Sequence, residues 1–262
     1  MNALVTGAFG YIGTRLCEFA REHYTNVFRI DTKKGHDYAD MREGDFDVVF
    51  HLGAISTIVD SFARADELMA TNALNLIPFF QHNKIGKFIF TSTAAIYGEM
   101  TRPMAEDEAK WTDCLSPYAQ SKYVAEGIIR RMCPNHFIAR LGNVFGGDYG
   151  PRKEWLATRH FAEDNPIVLY GGNQVRDFIH IDLICAALIK AAQGQATGTF
   201  NLASGEGVPL QMIAEQFSSR RDVPIVYAPQ RKGESMCVIL DVTKAKNAGL
   251  IPLEPPDHDY SA

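Results

Sequence analysis

The chain has 262 residues, of which 46% are hydrophobic and 22% charged, and its net charge is −5. These values predict a globular protein with a sizeable core, in one large domain or two closely joined lobes. Because no basic run stands out, they exclude a nucleic-acid groove, which needs a concentrated positive surface. No apolar run approaches the length that spans a bilayer, so no membrane partner is expected.

Strand-like and helix-like segments alternate along the first half of the chain. The predicted strands cover 2–6, 26–30, 47–52, 87–91 and 137–141, and the predicted helices cover 11–23, 59–83 and 118–132. This alternation is typical of an α/β fold and predicts a doubly wound parallel Rossmann sheet with right-handed crossovers. Only about sixteen residues join the second strand to the third, which leaves little room for a crossover helix.

The pattern changes after about residue 145. Glycine and proline cluster at 146–151, and the following elements are shorter and mixed in type. We therefore predict a Rossmann domain over 1–145 and a smaller mixed α/β lobe over 146–262. A later segment near 173–204 is expected to pack back on the first domain.

The cysteines and histidines are scattered rather than grouped. The five cysteines are never spaced as Cys-x-x-Cys, and the eight histidines show no metal-ligand spacing. This usage predicts reduced thiols in a cytoplasmic protein, with neither a disulfide framework nor a metal site. Met1 leads almost at once into the first strand, so no signal peptide is expected.

A glycine-rich turn joins the first strand to the first helix. Gly7, Gly10 and Gly13 are spaced three apart in this turn. In a nucleotide-binding turn the first glycine permits the tight bend, the second lets the backbone approach phosphate, and the third lets helix and strand pack closely. The helix N-terminus then offers N–H groups to a pyrophosphate, so the turn predicts a dinucleotide site.

An acid at the end of the second strand indicates which dinucleotide binds. Asp31 stands 18 residues after Gly13, where a carboxylate accepts hydrogen bonds from the adenosine ribose and repels a 2′-phosphate. This favours NAD over NADP. Lys33 and Lys34 nearby can offset that repulsion, although a solvated loop is the preferred interpretation for them.

Tyr118 and Lys122 lie four residues apart on a predicted helix and therefore share a face. A free phenol has a pKa near 10, and a neighbouring ammonium favours its ionised form, so the pair suits proton transfer. The alternative is an ordinary surface pair. A hydroxyl of 91–93, at the carboxyl end of the fourth strand, can bind the reacting oxygen beside Tyr118 or can simply cap a turn.

Short motifs occur in order along nearly the whole chain, at 6–13, 40–42, 51–54, 72, 91–98, 116–122, 140–146, 176–182, 201–205 and 231–234. Together they resemble the extended short-chain dehydrogenase/reductases, in the NAD-dependent epimerase/dehydratase family that acts on nucleotide sugars. Compared with that family, the second lobe is trimmed around 146–165 and the final helix is missing at 255–262.

The resemblance implies a role for individual residues. Tyr118 is implied to be the catalytic base, Lys122 its partner and Thr93 the catalytic hydroxyl. The implied cofactor-binding residues are Gly7, Phe9, Gly10, Tyr11, Ile12, Gly13, Asp31, Asp40, Met41, Leu52, Gly53, Ala54, Ser56, Asn72, Tyr118 and Lys122. The implied substrate-binding residues are Thr93, Asn143, Arg176 and Arg231, the last three at the nucleotide diphosphate.

The residues after Thr93 indicate the subtype. Ala94 and Ala95 stand where the 4,6-dehydratases of the family carry an Asp-Glu pair, and alanine has no acid–base chemistry. The decarboxylases carry a glutamate there, and the 3,5-epimerase/reductases a cysteine in place of Ala95. The chain therefore resembles the 4-epimerases, such as the UDP-galactose 4-epimerase group, or a simple 4-keto reductase.

The interpretation is NAD-dependent epimerisation of a nucleotide-diphosphate sugar at C4 through a transient 4-keto intermediate. Two alternatives stay open: an NAD(P)H-dependent reductase of a 4-keto nucleotide sugar, and a non-catalytic NAD-binding sensor or scaffold protein. The complete set of Tyr118, Lys122 and Thr93 argues against the sensor. The resemblance also implies a homodimer formed through the helices at 59–83 and 118–132.

Overall fold

A central sheet of six parallel strands forms the larger part of the molecule. The computed structural model describes residues 1–147 and 157–252, without the side chains of 157–159. The expectations for 146–165 thus lie partly, and those for 255–262 wholly, outside the described residues. The sheet contains β1 (Asn2–Thr6), β2 (Asn26–Ile30), β3 (Asp45–His51), β4 (Lys84–Thr93), β5 (His136–Leu141) and β9 (Gly198–Leu202).

The strand order in this sheet is β2-β1-β3-β4-β5-β9. The order reverses at β1, and in open sheets of this kind ligands bind at the carboxyl ends of the strands beside such a reversal. Leu4 and Val5 of β1 point to opposite faces, and both are 0% exposed. Strands buried on both faces require the continuous apolar runs seen in the sequence.

Helices cover both faces of the sheet. One face packs against α1 (Tyr11–His23) and α6 (Ile181–Gln193), and the other against α2 (Ala65–Met69), α3 (Leu76–His82) and α4 (Pro117–Met132). The two faces hold separate apolar cores. The prediction of a doubly wound parallel Rossmann sheet is therefore confirmed.

The helix predicted over 59–83 is not continuous. A 3-10 turn at Asp60–Phe62 precedes α2, and a π-helical turn at Ala70–Leu74 separates α2 from α3. Pro78 explains the break, because its ring would collide with the carbonyl of Leu74 in a regular α-helix. The backbone instead widens, with the Asn75 N–H donating to the Ala70 carbonyl at 3.0 Å.

The connection between β2 and β3 is as short as the sequence indicates. It holds two 3-10 turns, Thr32–Lys34 and Tyr38–Asp40, in place of a crossover helix. β2 consequently lies at the edge of the sheet, with Phe28 47% exposed.

Beyond β5 the chain builds a smaller mixed α/β lobe. Its strands are β6 (Asn143–Phe145), β7 (Ile167–Tyr170), β8 (Val175–His180), β10 (Gly207–Pro209) and β11 (Ile225–Ala228), and its helices are α5 (Ala157–Glu163) and α7 (Leu210–Arg221). The last helix, α8 (Thr243–Asn247), packs against β9 of the larger lobe instead. The strands form a three-stranded sheet, β10-β8-β6, and a parallel pair, β11-β7. Between β8 and β10 the chain returns to the larger lobe, where α6 packs on α1 and β9 joins β5.

Candidate active site

The glycine turn is packed so tightly that two of its positions have no room for a side chain. Gly7 has φ +65°, and a Cβ there would lie 2.7 Å from the backbone nitrogen of Gly53. A Cβ on Gly13 would lie 2.0 Å from the carbonyl oxygen of Gly7. Gly10 caps α1 without a side-chain hydrogen bond. The turn therefore presents a helix N-terminus with bare backbone, which suits an anion.

Asp31 ties the end of β2 to this turn. Its Oδ2 accepts the N–H of Phe9 at 3.0 Å, and its Oδ1 accepts the N–H of Lys33 at 3.0 Å. Each carboxylate oxygen has a second lone pair for a ribose hydroxyl. Arg29 and Lys34 place their cations 4.5 Å and 5.5 Å from the Phe9 ring centroid. Two positive charges thus lie next to the ribose side of the turn.

A cavity of ≈ 310 Å³ opens beside the end of β2. Asp40 and Met41, the residues expected at an adenine, both line it. The full lining is Ile30, Gly35, His36, Asp37, Asp40 and Met41. Ile30 in this lining pairs with Thr6, the residue just before Gly7, so the cavity adjoins the glycine turn.

Asn72 joins the segment after β3 to helix α4. That segment holds Leu52, Gly53, Ala54 and the exposed Ser56. Asn72 is 1% exposed, and its amide exchanges two hydrogen bonds with the backbone of Ile55, at 2.8 Å and 3.0 Å. The same amide donates to Ser121 Oγ of α4 at 3.0 Å. The π-helical turn that Pro78 imposes thus carries the residue that ties the 52–56 segment to the helix of Tyr118.

Helix α4 begins just before Tyr118. Ser116 caps it by accepting the N–H of Ala119 at 3.2 Å, and Pro117 occupies the first turn, where its missing N–H costs nothing. The helix packs against β4 and the 3-10 turn at Ala94–Tyr97. Tyr118 therefore lies in the first turn of α4 at the carboxyl edge of the sheet.

Lys122 is held in the interior one turn later. It is 3% exposed, its Nζ donates to the Thr91 carbonyl at 2.8 Å, and it lies 4.5 Å from the centroid of the Phe90 ring. Burial lowers the pKa of Lys122 to about 7, although the nearby Glu126 carboxylate acts to raise it. An amine that titrates near neutral pH can respond to a proton transfer beside it.

Thr93 ends β4 and starts the 3-10 turn that follows. Its Oγ1 accepts the N–H of Ala95 at 3.2 Å, so the capping role named as an alternative is present. A hydroxyl that accepts one hydrogen bond keeps its own O–H for donation, so capping leaves Thr93 able to bind a substrate oxygen.

Arg176 and Asn143 lie on neighbouring strands of the smaller lobe. Asn143 of β6 pairs with Phe178 of β8, two residues from Arg176. Arg176 is 8% exposed, and its guanidinium donates to the Val175 carbonyl at 3.0 Å. Burial lowers the pKa of Arg176, and the Glu234 carboxylate opposes this change.

Arg231 starts a segment, 231–235, that crosses to the larger lobe. Its guanidinium lies 3.7 Å from the Tyr170 ring centroid and 3.6 Å from the Glu234 carboxylate. Further along the segment, a Cβ on Gly233 would lie 2.9 Å from the Phe62 ring and 3.1 Å from the Ser116 side chain. Arg231 thus packs on the smaller lobe, and two residues later the segment reaches the start of α4.

A buried ion pair that the sequence did not indicate joins Glu126 of α4 to Arg140 of β5. Glu126 is 0% exposed and accepts hydrogen bonds from Ser92 Oγ at 2.6 Å, from Arg140 at 3.0 Å and 2.7 Å, and from Arg130 at 2.6 Å. Burial acts to raise the pKa of Glu126, but the hydrogen bonds and charge of Arg140 lower it on balance. The available signal was its spacing, four residues beyond Lys122 on one helical face.

Two classes of site find no support in the described ranges, 1–147 and 157–252. They contain no group of three or more histidine, cysteine, aspartate or glutamate side chains that could hold a metal ion. Within the same ranges, every helix is too short or too polar to cross a bilayer.

Comparison with known proteins identifies relatives along the whole fold. A profile of the NAD dependent epimerase/dehydratase family matches residues 3–203. The matched span runs from β1 through β9 and includes the glycine turn, Asp31, Tyr118 and Lys122.

Individual relatives cover nearly the full chain. A UDP-glucose 4-epimerase of Corynebacterium glutamicum is 28% identical over 296 residues, which cover 94% of this chain and 89% of the relative. The structure of a UDP-glucose 4-epimerase with UDP-glucose from Thermotoga maritima is 26% identical, with a TM-score of 0.84 over 100% of this chain and 96% of that one. A UDP-glucose 4-epimerase of Thermus thermophilus in complex with NAD, 22% identical, shares the fold with a TM-score of 0.85 over 100% and 97% of the two chains.

Proposed function

The chain belongs to the NAD dependent epimerase/dehydratase family, and on that premise we propose that it epimerises a nucleotide-diphosphate sugar at C4 of the sugar ring. The observation that carries this proposal is the arrangement around Lys122. Lys122 lies one helical turn after Tyr118 on α4, and its buried ammonium donates to the Thr91 carbonyl. Thr91 belongs to β4, the strand that ends at Thr93. This arrangement supplies a proton path at the carboxyl edge of a dinucleotide-binding sheet.

The residues of the larger lobe suit NAD. The side-chain-free positions Gly7 and Gly13 leave bare backbone for the pyrophosphate, Asp31 suits the ribose hydroxyls, and the cavity at Asp40 and Met41 suits the adenine. Bound NAD supplies a group that accepts a hydride and returns it. Two further segments would contact the cofactor. The segment after β3, which Asn72 holds, would line the path to the nicotinamide end with Leu52, Gly53, Ala54 and Ser56. The glycine turn would lie along the pyrophosphate with Phe9, Gly10, Tyr11 and Ile12.

Tyr118 takes the proton of the sugar hydroxyl and later gives it back. The positive charge of Lys122 favours the phenolate that this step requires. Thr93 donates a hydrogen bond to the same sugar oxygen and holds that oxygen beside Tyr118. The sugar passes through a 4-keto form, and it turns within the site before reduction on its other face.

The smaller lobe holds the rest of the substrate. Arg176 and Arg231 suit the diphosphate, because guanidinium groups bind phosphate oxygens through two parallel N–H groups. Asn143 suits the neighbouring polar atoms of the nucleotide. Fixing the diphosphate while leaving the sugar unclamped allows the ring to present either face.

Epimerisation is preferred to water loss because Ala94 and Ala95 follow Thr93. Neither alanine side chain can exchange a proton. Elimination of water requires an additional acid and an additional base from the protein, which act on the sugar. The relatives named UDP-glucose 4-epimerase support the same choice and make UDP-glucose and UDP-galactose the first substrates to test.

The deciding experiment follows the interconversion of UDP-glucose and UDP-galactose by NMR. An epimerase interconverts them with no net change in NADH absorbance, whereas a reductase of a 4-keto sugar consumes NADH. Tyr118→Phe serves as the matched variant, since it removes one oxygen. It should bind NAD with unchanged stoichiometry and lose at least about a hundredfold in turnover. Full turnover by Tyr118→Phe would refute the assignment.

We also propose a homodimer in the cytoplasm. Val59 and Leu74 are each 47% exposed, and Trp111 and Leu115 each 42%, around α2, α3 and the start of α4. These elements pack against one another, and exposed apolar side chains on adjoining elements indicate an interface. Leu74→Lys should convert a dimer to a monomer in light scattering, and an unchanged mass would refute this interface.

The cytoplasmic location is supported by the cysteines. All five are unpaired thiols, which suits a reducing compartment.

A further inference from the structure

We propose that Glu126 is a positioning residue for the reaction: it fixes the face of α4 that carries Tyr118 and Lys122 against the end of β4 that carries Thr93. This inference rests on the proposed function for its kinetic consequence. Its structural basis is the set of buried hydrogen bonds that Glu126 makes to β4 and β5.

Two hydrogen bonds join α4 to β4, one residue apart on the strand and one turn apart on the helix. Lys122 Nζ donates to the Thr91 carbonyl at 2.8 Å, and Ser92 Oγ donates to Glu126 Oε1 at 2.6 Å. Two separate attachments prevent the helix from rotating about either one. The next strand residue is Thr93, so the attachments end directly beside the proposed catalytic hydroxyl.

Glu126 is itself held from the opposite side. Arg140 of β5 is 2% exposed and forms two parallel hydrogen bonds with its carboxylate, at 3.0 Å and 2.7 Å. Another Arg140 nitrogen donates to Tyr97 Oη at 2.8 Å, and Tyr97 donates to Asn201 of β9 at 2.7 Å. The position of Glu126 is therefore fixed by three strands of the sheet and by the turn after Thr93.

A buried ion pair needs a reason other than stability, because the cost of removing both charges from water often matches their attraction. Here the charge has a second effect. The Glu126 carboxylate favours the ammonium form of Lys122, against the burial that disfavours it. On β3, the 0% exposed His51 is neutral, since burial and then the Lys122 charge lower its pKa to about 3.

Four charged or titratable groups surround Lys122: Tyr118 and Glu126 on its own helix, His51 on β3, and Arg140 on β5 behind Glu126. Glu126 is the one among them, in the described residues, that adds negative charge. Replacing it with a neutral side chain should shift Lys122 toward the free amine.

The test compares Glu126→Gln, Glu126→Asp and Ser92→Ala with the wild-type enzyme carrying NAD. For Glu126→Gln we expect kcat to fall by about tenfold or more with little change in KM, because the sugar nucleotide is held elsewhere. The pH range of kcat should end about one pH unit lower on its alkaline side, where Lys122 loses its charge. Glu126→Asp should restore that alkaline limit, since it restores the carboxylate. Ser92→Ala should lower kcat without moving the alkaline limit.

A purely structural role predicts another result, a lower melting temperature and lower kcat with an unchanged pH range, and that result would overturn the proposal. If Glu126→Gln does not fold, Glu126→Asp and Ser92→Ala decide by the same comparison. Failure of the proposed function is separately visible. If the wild-type enzyme interconverts no UDP-sugar, an NMR titration of the Lys122 ammonium, assigned by its loss in Lys122→Met, still shows whether Glu126→Gln moves that titration to lower pH.

Discussion

Replacing Gly13 with alanine should impair NAD binding by a mechanism that the structure quantifies. The added Cβ would lie 2.0 Å from the Gly7 carbonyl oxygen, whereas real Cβ atoms essentially never approach closer than 3.0 Å. The turn and α1 must therefore separate by about 1 Å, a strain of about 1–3 kcal/mol. Because the displaced backbone is the phosphate cradle, we expect the dissociation constant for NAD to rise by about tenfold or more.

Calorimetric titration with NAD and thermal unfolding together test this expectation. Gly10→Ala is an intermediate case, because its Cβ would lie 3.2 Å from the same oxygen. Gly127→Ala is the matched control: it lies inside α4, and its Cβ meets nothing within 4 Å. That change should leave NAD affinity intact and stabilise the protein by about 0.5–1 kcal/mol. Wild-type NAD affinity in Gly13→Ala would refute the steric argument.

Two further predictions concern charge. Asp31→Ser should shift the ratio of NADP to NAD affinity by about tenfold towards NADP, because it removes the repulsion of a 2′-phosphate while Arg29 and Lys34 stay beside the turn; an unchanged ratio in fluorescence titrations would contradict it. Lys122→Met should unfold at higher denaturant concentration than the wild-type apoprotein near pH 7. In the wild type, burial lowers the pKa of Lys122 to about 7, so folding releases a proton between that pH and the pKa of about 10.4 in the unfolded chain. Wild-type stability therefore gains up to about 1.4 kcal/mol per pH unit in this range, and the difference should shrink as the pH rises; a constant difference would refute the reasoning.

The sequence predicted the parts of the fold that depend on local pattern. Apolar runs located the strands of the large sheet, and the glycine spacing located the turn. The prediction of one continuous helix over 59–83 was wrong, because the spacing of apolar residues does not show the effect of Pro78 on the backbone. Its ring changes the hydrogen bonding of the preceding turn, which holds the Asn72 that bonds to Ile55.

The ion pair of Glu126 illustrates what the sequence could not predict. Its partners Ser92 and Arg140 lie 34 and 14 residues away along the chain. Only the alignment of β4 beside β5 under α4 brings the three together. A glutamate inside an amphipathic helix reads as a surface residue until the strands beneath it are known.

The short connection after β2 has a consequence for aggregation. It leaves the outermost strand of the large sheet with one rim of amide groups that no other strand of the described residues covers. Such a rim is a template on which a second molecule can add a strand, and the half-exposed ring of Phe28 adds apolar surface there. The charge of the exposed Arg29, which also lies over Phe9 of the glycine turn, opposes such strand addition.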